Sequence, residues 1–111
     1  MRKAAIYYKD FLAGMLIETD EGDYTFQYNE KYAKEHPKQF LTFTMPVGTK
    51  IYTDKRLFPF FEGLIPEGWL LDIASKNWKI NQNDRMGLLL ACCQNCIGAV
   101  SVQPIPPENE Y

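Results

Sequence analysis

Residues 58–71 constrain the fold most, because this stretch combines large apolar side chains with two places where a helix can begin. It reads FPFFEGLIPEGWLL and holds three Phe, one Trp, two Pro and two Gly. Pro59 and Pro66 are each followed by a carboxylate, and both proline and acidic side chains favour the first turn of a helix. We predict a short helix, a break at Gly63 and a new helix from Pro66, with this block as the hub of the domain.

Alternating apolar and polar residues before this block predict antiparallel strands. Residues 4–8 and 11–18 form two such runs joined by a two-residue connection, and residues 24–28 (YTFQY) give the clearest period-two pattern. Gly14 lies where a strand often bends or lets another backbone approach. Four alternating apolar residues of the second run are expected to share one face: Phe11, Ala13, Met15 and Ile17.

The sequence between the third strand and the hub is less regular. Residues 29–36 allow at most a two-turn helix, and residues 39–45, bounded by prolines, are interpreted as a strand. Residues 47–57 are interpreted as a polar connector. His36, the only histidine, stands beside a proline, so we expect a solvated loop residue rather than a ligand or a catalytic base.

Two amphipathic helices are predicted after the hub begins, at residues 66–78 and 84–93. In each, apolar residues recur at helical spacing and mark the core-facing side. Asp84 or Asn83 can cap the second helix. The two apolar stripes are Leu70, Leu71, Ala74 and Trp78, and then Met86, Leu89, Leu90 and Cys93.

Strands followed by helices predict an α+β domain rather than a repeated βαβ unit. We expect a mainly antiparallel sheet of about five strands, the last at residues 98–103, with the two principal helices packed on it. A chain of 111 residues that is 46% hydrophobic can form one such core. The domain is expected to span residues 1–104, followed by a flexible C-terminal tail at 105–111.

Three segments carry a family resemblance. Residues 60–67 read FFEGLIPE, residues 91–102 read ACCQNCIGAVSV, and residues 11–28 place a Gly-x-Leu strand before an F-x-Y strand. They resemble the F-F-x-x-L-L-P-[DE] signature, the closing I-G-R-D-C-x-G-A-V segment and the opening hairpin of one subdomain. That subdomain is the N-terminal part of HipA-type serine/threonine toxin kinases.

The resemblance implies a binding subunit that is not itself an enzyme. In HipA-type kinases, the parts that bind ATP and catalyse transfer lie beyond this subdomain, and the chain is similar to the short HipS-like partners of split HipA systems. It contains no G-x-G-x-x-G, G-x-x-x-x-G-K-[ST], H-x-D or D-F-G motif, so we expect neither phosphoryl transfer nor a cofactor. The implied partner is a separately encoded HipA-like kinase core, which the chain restrains or completes.

Trp69 is the residue that we expect to contact this kinase. On a helical wheel it lies about 140° from the centre of the core stripe, with Ile73 as its one apolar neighbour, and rigid aromatic side chains are frequent interface hot spots. In the alternative, Trp69 folds back on Phe60 or Phe61 as a staple at the helix start. The candidate contact set is Trp69, Glu67, Gly68, Asp72 and Lys76.

Charge and hydropathy argue against other classes of partner. A net charge of −2 and a pI near 5.3 provide no basic field, so direct nucleic-acid binding is not expected. A further alternative is a purely structural or nucleic-acid-associated component of a toxin–antitoxin complex, in which a DNA-binding third subunit would contact the DNA. The start, MRKA, leads into strand-like sequence without a secretory signal, and the uncharged run 86–107 is broken by Gln, Asn and Pro. We expect a cytoplasmic protein with no membrane span.

Cys92, Cys93 and Cys96 support an alternative from a different class, a small redox or metal-handling protein. A thioredoxin-like pair would follow a strand and open a helix, and a four-ligand zinc site needs a second pair, for which the chain offers only His36. We therefore expect reduced thiols that are buried or lie at a helix end.

We predict that protein purified without added metal contains far less than one zinc ion per chain by elemental analysis, because the cysteine cluster lacks a complete ligand set. A variant with all three cysteines replaced by serine should give the same metal content. Stoichiometric zinc that is lost in this variant would favour the metal-handling alternative instead.

Overall fold

The computed structural model describes residues 2–42, 44–65, 68–93 and 99–105, with positions 68–70, 74 and 78 described by their backbone alone. The strands form one antiparallel sheet in the order β4-β3-β2-β1-β5. This confirms the predicted α+β fold with five strands. The elements are β1 (Arg2–Tyr8), β2 (Phe11–Glu18), β3 (Tyr24–Tyr28), α1 (Glu30–Glu35), β4 (Ile51–Asp54), α2 (Pro59–Glu62), α3 (Gly68–Trp78), α4 (Arg85–Cys92) and β5 (Val100–Ile105).

The helices bury one face of the sheet, and the hub lies at the centre of that contact. Phe61 is fully buried, and its ring centroid lies 5.7 Å from that of Phe26 in β3. Phe58 and Ile65 are buried in the same core. Burying one such side chain contributes roughly 1.5–3 kcal/mol, so these residues account for much of the stability. Helix α2 ends at Gly63, as the sequence predicts.

A bulge divides the predicted face of β2. The pairing register between β1 and β2 shifts after Ile6 and leaves Ala13 as the extra residue of β2. Ala13 is fully buried, whereas Met15 is 40% exposed. The expectation that Ala13 and Met15 share a face was wrong, because the extra residue resets the alternation.

The fourth strand lies later in the chain than the sequence predicts. Within the described part of residues 39–45, only an isolated bridge joins Thr42 to Met45. Strand β4 comes instead from the predicted polar connector and pairs with β3.

Tyrosine hydroxyl groups explain why residues 39–45 do not join the sheet. The Leu41 N–H donates to the Tyr28 hydroxyl at 3.0 Å, and the Tyr28 hydroxyl donates to the Met45 carbonyl. The Tyr32 hydroxyl donates to the Gln39 carbonyl. These bonds satisfy backbone groups that a strand would otherwise direct to a neighbouring strand. Burial raises the pKa of Tyr28 to about 12.

The predicted connector helix is confirmed as α1, and its N-cap Asn29 accepts a hydrogen bond from the Tyr32 N–H. His36, however, is half-buried, with its ring centroid 4.5 Å from that of Phe11 and 5.1 Å from that of Tyr32. The expectation of a solvated loop residue was wrong. The polar sequence around His36 could not show that Phe11, at the start of β2, packs on its ring.

Strand β5 continues to Ile105, which pairs with Lys3 of β1 and lies one residue beyond the predicted domain boundary. Residues 106–111 of the predicted tail lie outside the described residues.

We predict that Gly14→Ala destabilises the domain by about 2 kcal/mol, through overpacking. A Cβ at this position would lie 2.5 Å from the Gln27 carbonyl oxygen and 2.8 Å from Cζ of Phe26, and a paired strand and a buried ring have little room to move. Gly48→Ala is the matched control, because nothing lies within 4 Å of the added carbon there. Denaturant unfolding measures both variants, and equal midpoints would contradict the close approach.

Candidate functional site

Arg2 ties the start of helix α4 to the sheet. Its Nε donates to Glu18 Oε1 at 2.6 Å, and its Nη2 donates to Asp84 Oδ1 at 2.8 Å. Asp84 is the N-cap of α4 and accepts from the Gly87 N–H at 3.1 Å, as predicted for this cap. The Tyr24 hydroxyl adds a bond to Glu18 Oε2 at 3.1 Å. The Arg2 guanidinium group therefore links strands β1 and β2 to the start of helix α4.

The charged groups in this network change the pKa values of neighbouring side chains. Hydrogen bonding to Arg2 lowers the pKa of Asp84, and the Gly87 N–H also lowers it. The two carboxylates raise the pKa of Arg2 above its ordinary value. Burial, together with the Glu18 carboxylate, raises the pKa of Tyr24 to about 12. The network is therefore complete at neutral pH, with Asp84 ionised and Arg2 protonated.

A second set of contacts joins α4 to the hub. Arg85 forms an ion pair with Glu62 of α2, at 2.9 Å between Nη2 and Oε1. At the other end of α4, the thiol of Cys93 donates to the carbonyl of Leu64 at 3.2 Å. Helix α4 is thus fixed at both ends, and it provides the surface on which α3 packs.

Helix α3 is held in place by contacts of its buried side and by hydrogen bonds with the linker that follows it. Ser75 is buried, and its backbone carbonyl accepts from the Ile80 N–H at 2.9 Å. Gln82 Nε2 donates to Asp72 Oδ1 at 2.6 Å, which folds the linker back along the helix. The linker thus covers α3 next to Asp72, while the Ile73 side of the helix stays exposed.

Two of the predicted contact residues border this exposed side, and one of them, Asp72, also accepts the hydrogen bond from Gln82 of the linker. Asp72 and Lys76 are both exposed and stand one helical turn apart. Gly68 and Trp69 belong to the first turn of α3 by their backbone. Glu67 and the side chain of Trp69 lie outside the described residues, so the exposure of Trp69 stays a prediction.

Ile73 belongs to the same side of α3, although it was left out of the predicted contact set. Its side chain is 46% exposed and is adjacent in sequence to Asp72. The signal that could have included it was its position on the helical wheel, as the apolar neighbour of Trp69. We call Asp72, Ile73 and Lys76 the α3 surface.

The described residues offer little support for a metal or redox centre. In this part of the chain, no three His, Cys, Asp or Glu side chains are grouped so that they could hold a metal ion. Cys93 is fully buried and Cys92 is half-buried, while Cys96 lies outside the described residues. No helix in the described ranges is long and apolar enough to cross a membrane.

Comparison with known proteins identifies the family. Residues 4–103 match the model of the HipA N-terminal domain, which accounts for nearly the whole chain. The chain belongs to the HipA N-terminal domain family. The resemblance carried by the 60–67, 91–102 and 11–28 segments is thereby confirmed.

One protein sequence and one solved structure are similar to this chain, and the structure agrees with the assignment. An uncharacterized protein of Haemophilus influenzae is 31% identical over 96 residues, which cover 86% of this chain and 85% of the relative. A solved structure described as the N-terminal domain of HipA toxin is 26% identical and superposes with a TM-score of 0.71. That match covers 96% of this chain and 95% of the solved one. Both the family model and the solved structure are described as the N-terminal domain of HipA.

We predict that stability falls as the pH drops below about 4, the ordinary range of an aspartate, in part because Asp84 loses its charge. Since the folded state lowers the pKa of this carboxyl, its contribution is complete above the unfolded value and disappears as the pH falls through the folded one. Asp84→Asn keeps a capping side chain but removes the charge, so it should cost about 1 kcal/mol at pH 7 after solvent screening. The variant should also show a shallower acid dependence.

Asp23→Asn, in the exposed turn between β2 and β3, is the control for this measurement. Thermal or urea unfolding at several pH values compares the three proteins. If Asp84→Asn and the native chain lose stability in parallel on acidification, Asp84 is not the group responsible.

Proposed function

We propose that this chain is a non-catalytic binding subunit of a toxin–antitoxin system, which acts in the cytoplasm by docking on a separately encoded HipA-like serine/threonine kinase core and restraining it. The match of residues 4–103 to the HipA N-terminal domain carries this proposal. The solved relative is described as a domain of HipA toxin, and a domain that recurs at the N-terminus of a kinase is suited to contact the rest of that kinase.

The contact is assigned to helix α3, centred on Trp69 and extended by Glu67, Gly68, Asp72 and Lys76. Support comes from the α3 surface, where a half-exposed Ile73 lies among charged side chains. Interfaces commonly combine an apolar centre with a polar rim. Trp69 precedes Ile73 by one helical turn, so the two residues are spaced to act as one apolar centre.

We propose that the chain restrains the kinase and does not complete it, because the chain has no set of residues that could catalyse phosphoryl transfer. A subunit of this kind acts by occupying a surface or by holding a conformation. Contact with DNA is assigned to a third subunit, because the net charge of −2 gives this chain no basic field.

The alternative of a redox or metal-handling protein is less well supported by the described residues. The Cys93 thiol is buried and hydrogen-bonded to a backbone carbonyl, an arrangement typical of a packing residue. A reactive cysteine would instead need partial exposure and a positively charged neighbour.

We predict that Trp69→Ala leaves the melting temperature nearly unchanged but weakens binding to the kinase core by about 2 kcal/mol or more. The loss should appear as a roughly thirtyfold higher Kd in isothermal titration calorimetry and as renewed autophosphorylation of the kinase in the presence of the variant. The reason is that truncation removes the aromatic anchor while leaving the core intact.

Trp78→Ala is the matched control, since Trp78 is predicted to lie on the core stripe of the same helix. It should lower the melting temperature by several degrees. If Trp69→Ala unfolds the domain instead, or leaves the Kd unchanged, Trp69 is a packing residue and the contact lies elsewhere. If the native chain does not bind the kinase core, the proposed function itself is wrong.

A further inference from the structure

Residues 37–47, which lie between α1 and β4, are attached to the sheet through side chains. Between described residues, the backbone hydrogen bonds of this segment are local. The Gln39 N–H donates to the His36 carbonyl, and the Met45 N–H donates to the Thr42 carbonyl. In the described part of the segment, no ladder of backbone bonds therefore joins it to a strand. We call residues 37–47 the strap.

Tyrosine hydroxyl groups connect the strap to the rest of the domain. Tyr28 contributes most, because its hydroxyl accepts from the Leu41 N–H at 3.0 Å and donates to the Met45 carbonyl. Two further tyrosines each donate to one carbonyl of the strap, Tyr32 to Gln39 and Tyr52 to Pro46. The strap is thus held by a few separate side-chain bonds, whereas each strand is held by a continuous ladder.

The strap also buries little apolar surface. Met45 is the one described side chain of the strap that is buried, at 3% exposed, and Leu41 and Val47 are partly buried against the core. By contrast, β1 and β2 together contribute four fully buried side chains, namely Ala4, Ile6, Ala13 and Leu16. A segment with few buried apolar contacts and no ladder opens at a lower free energy than the whole domain.

We propose that the strap opens as a unit while the sheet and the helices stay folded, and that the Tyr28 hydroxyl is the latch that keeps it closed. Tyr28 and Tyr52 both belong to the inner face of the sheet, because Tyr28 is buried with Phe26 along β3 and Tyr52 pairs with Phe26. Opening uncovers Met45 and the hydroxyl ends of these tyrosines. The strap is therefore a lid over the inner face at β3 and β4.

Methionine oxidation measures this opening, because the chain carries methionines of graded exposure. Met15 is 40% exposed, Met45 is 3% exposed and Met86 of α4 is fully buried. Dilute hydrogen peroxide converts an accessible methionine to its sulfoxide, and peptide mass spectrometry gives a rate for each position. We expect Met45 to react more slowly than Met15 but at least about tenfold faster than Met86. Equal rates at Met45 and Met86 would overturn the inference.

Two variants separate opening of the strap from unfolding of the domain. Tyr28→Phe keeps the ring but removes the latch, so Met45 should oxidise about tenfold faster. Val102→Ala removes buried methyl groups from β5, at the edge of the sheet opposite β4, so it should lower the melting temperature and speed oxidation of Met86 while leaving Met45 unchanged. If Tyr28→Phe leaves the Met45 rate unchanged, or if Val102→Ala speeds Met45 and Met86 by the same factor, the inference is wrong.

Native-state hydrogen exchange followed by NMR provides a second readout on the unmodified chain. The Met45 amide, which bonds within the strap, should exchange with a weak dependence on urea, because opening exposes little surface. Protected amides of β1 and β2 should show the full urea dependence of global unfolding. A Met45 amide with that same full dependence, or with no protection at all, would contradict a strap that is latched and opens by itself.

Discussion

The packing of Phe61 on Phe26, over the space left by Gly14, joins the sheet to the helices, and most of the structure depends on it. Phe26 and Phe61 are both fully buried with ring centroids 5.7 Å apart. The absence of a side chain at Gly14 leaves the space that the Phe26 ring occupies. Because the three residues come from β2, β3 and α2, one contact sets the distance between the opening hairpin and the hub.

Fixing the hub on one face of the sheet leaves the other face and one side of α3 exposed. The helices bury the inner face, while the outer face keeps partly exposed apolar residues such as Met15 and Ile51. Anchoring of α4 at Asp84 and Cys93 holds α3 with its Ser75 side buried. The described residues thus present partly exposed apolar side chains on the outer face of the sheet and charged side chains on α3.

The candidate site could be predicted in part. Helical periodicity correctly placed Asp72 and Lys76 on the exposed side of α3, because the spacing of apolar residues along a helix is a local property. The same periodicity identified Ile73 as a neighbour but could not show that 46% of it would stay exposed. That depends on how closely the linker around Gln82 and helix α4 approach α3, which are contacts between segments distant in sequence.

By itself, the sequence determined the fold class, the first three strands, the positions of the helices and the family, and it narrowed the α4 cap to Asn83 or Asp84, since each depends on residues close together in the chain. Tertiary structure decided the rest. The bulge at Ala13 exchanges the faces of β2, and the hydroxyl groups of Tyr28 and Tyr32 hold residues 39–45 outside the sheet. Both effects come from partners that the alternation pattern does not contain, namely the register of a neighbouring strand and side-chain hydrogen bonds to distant backbone groups.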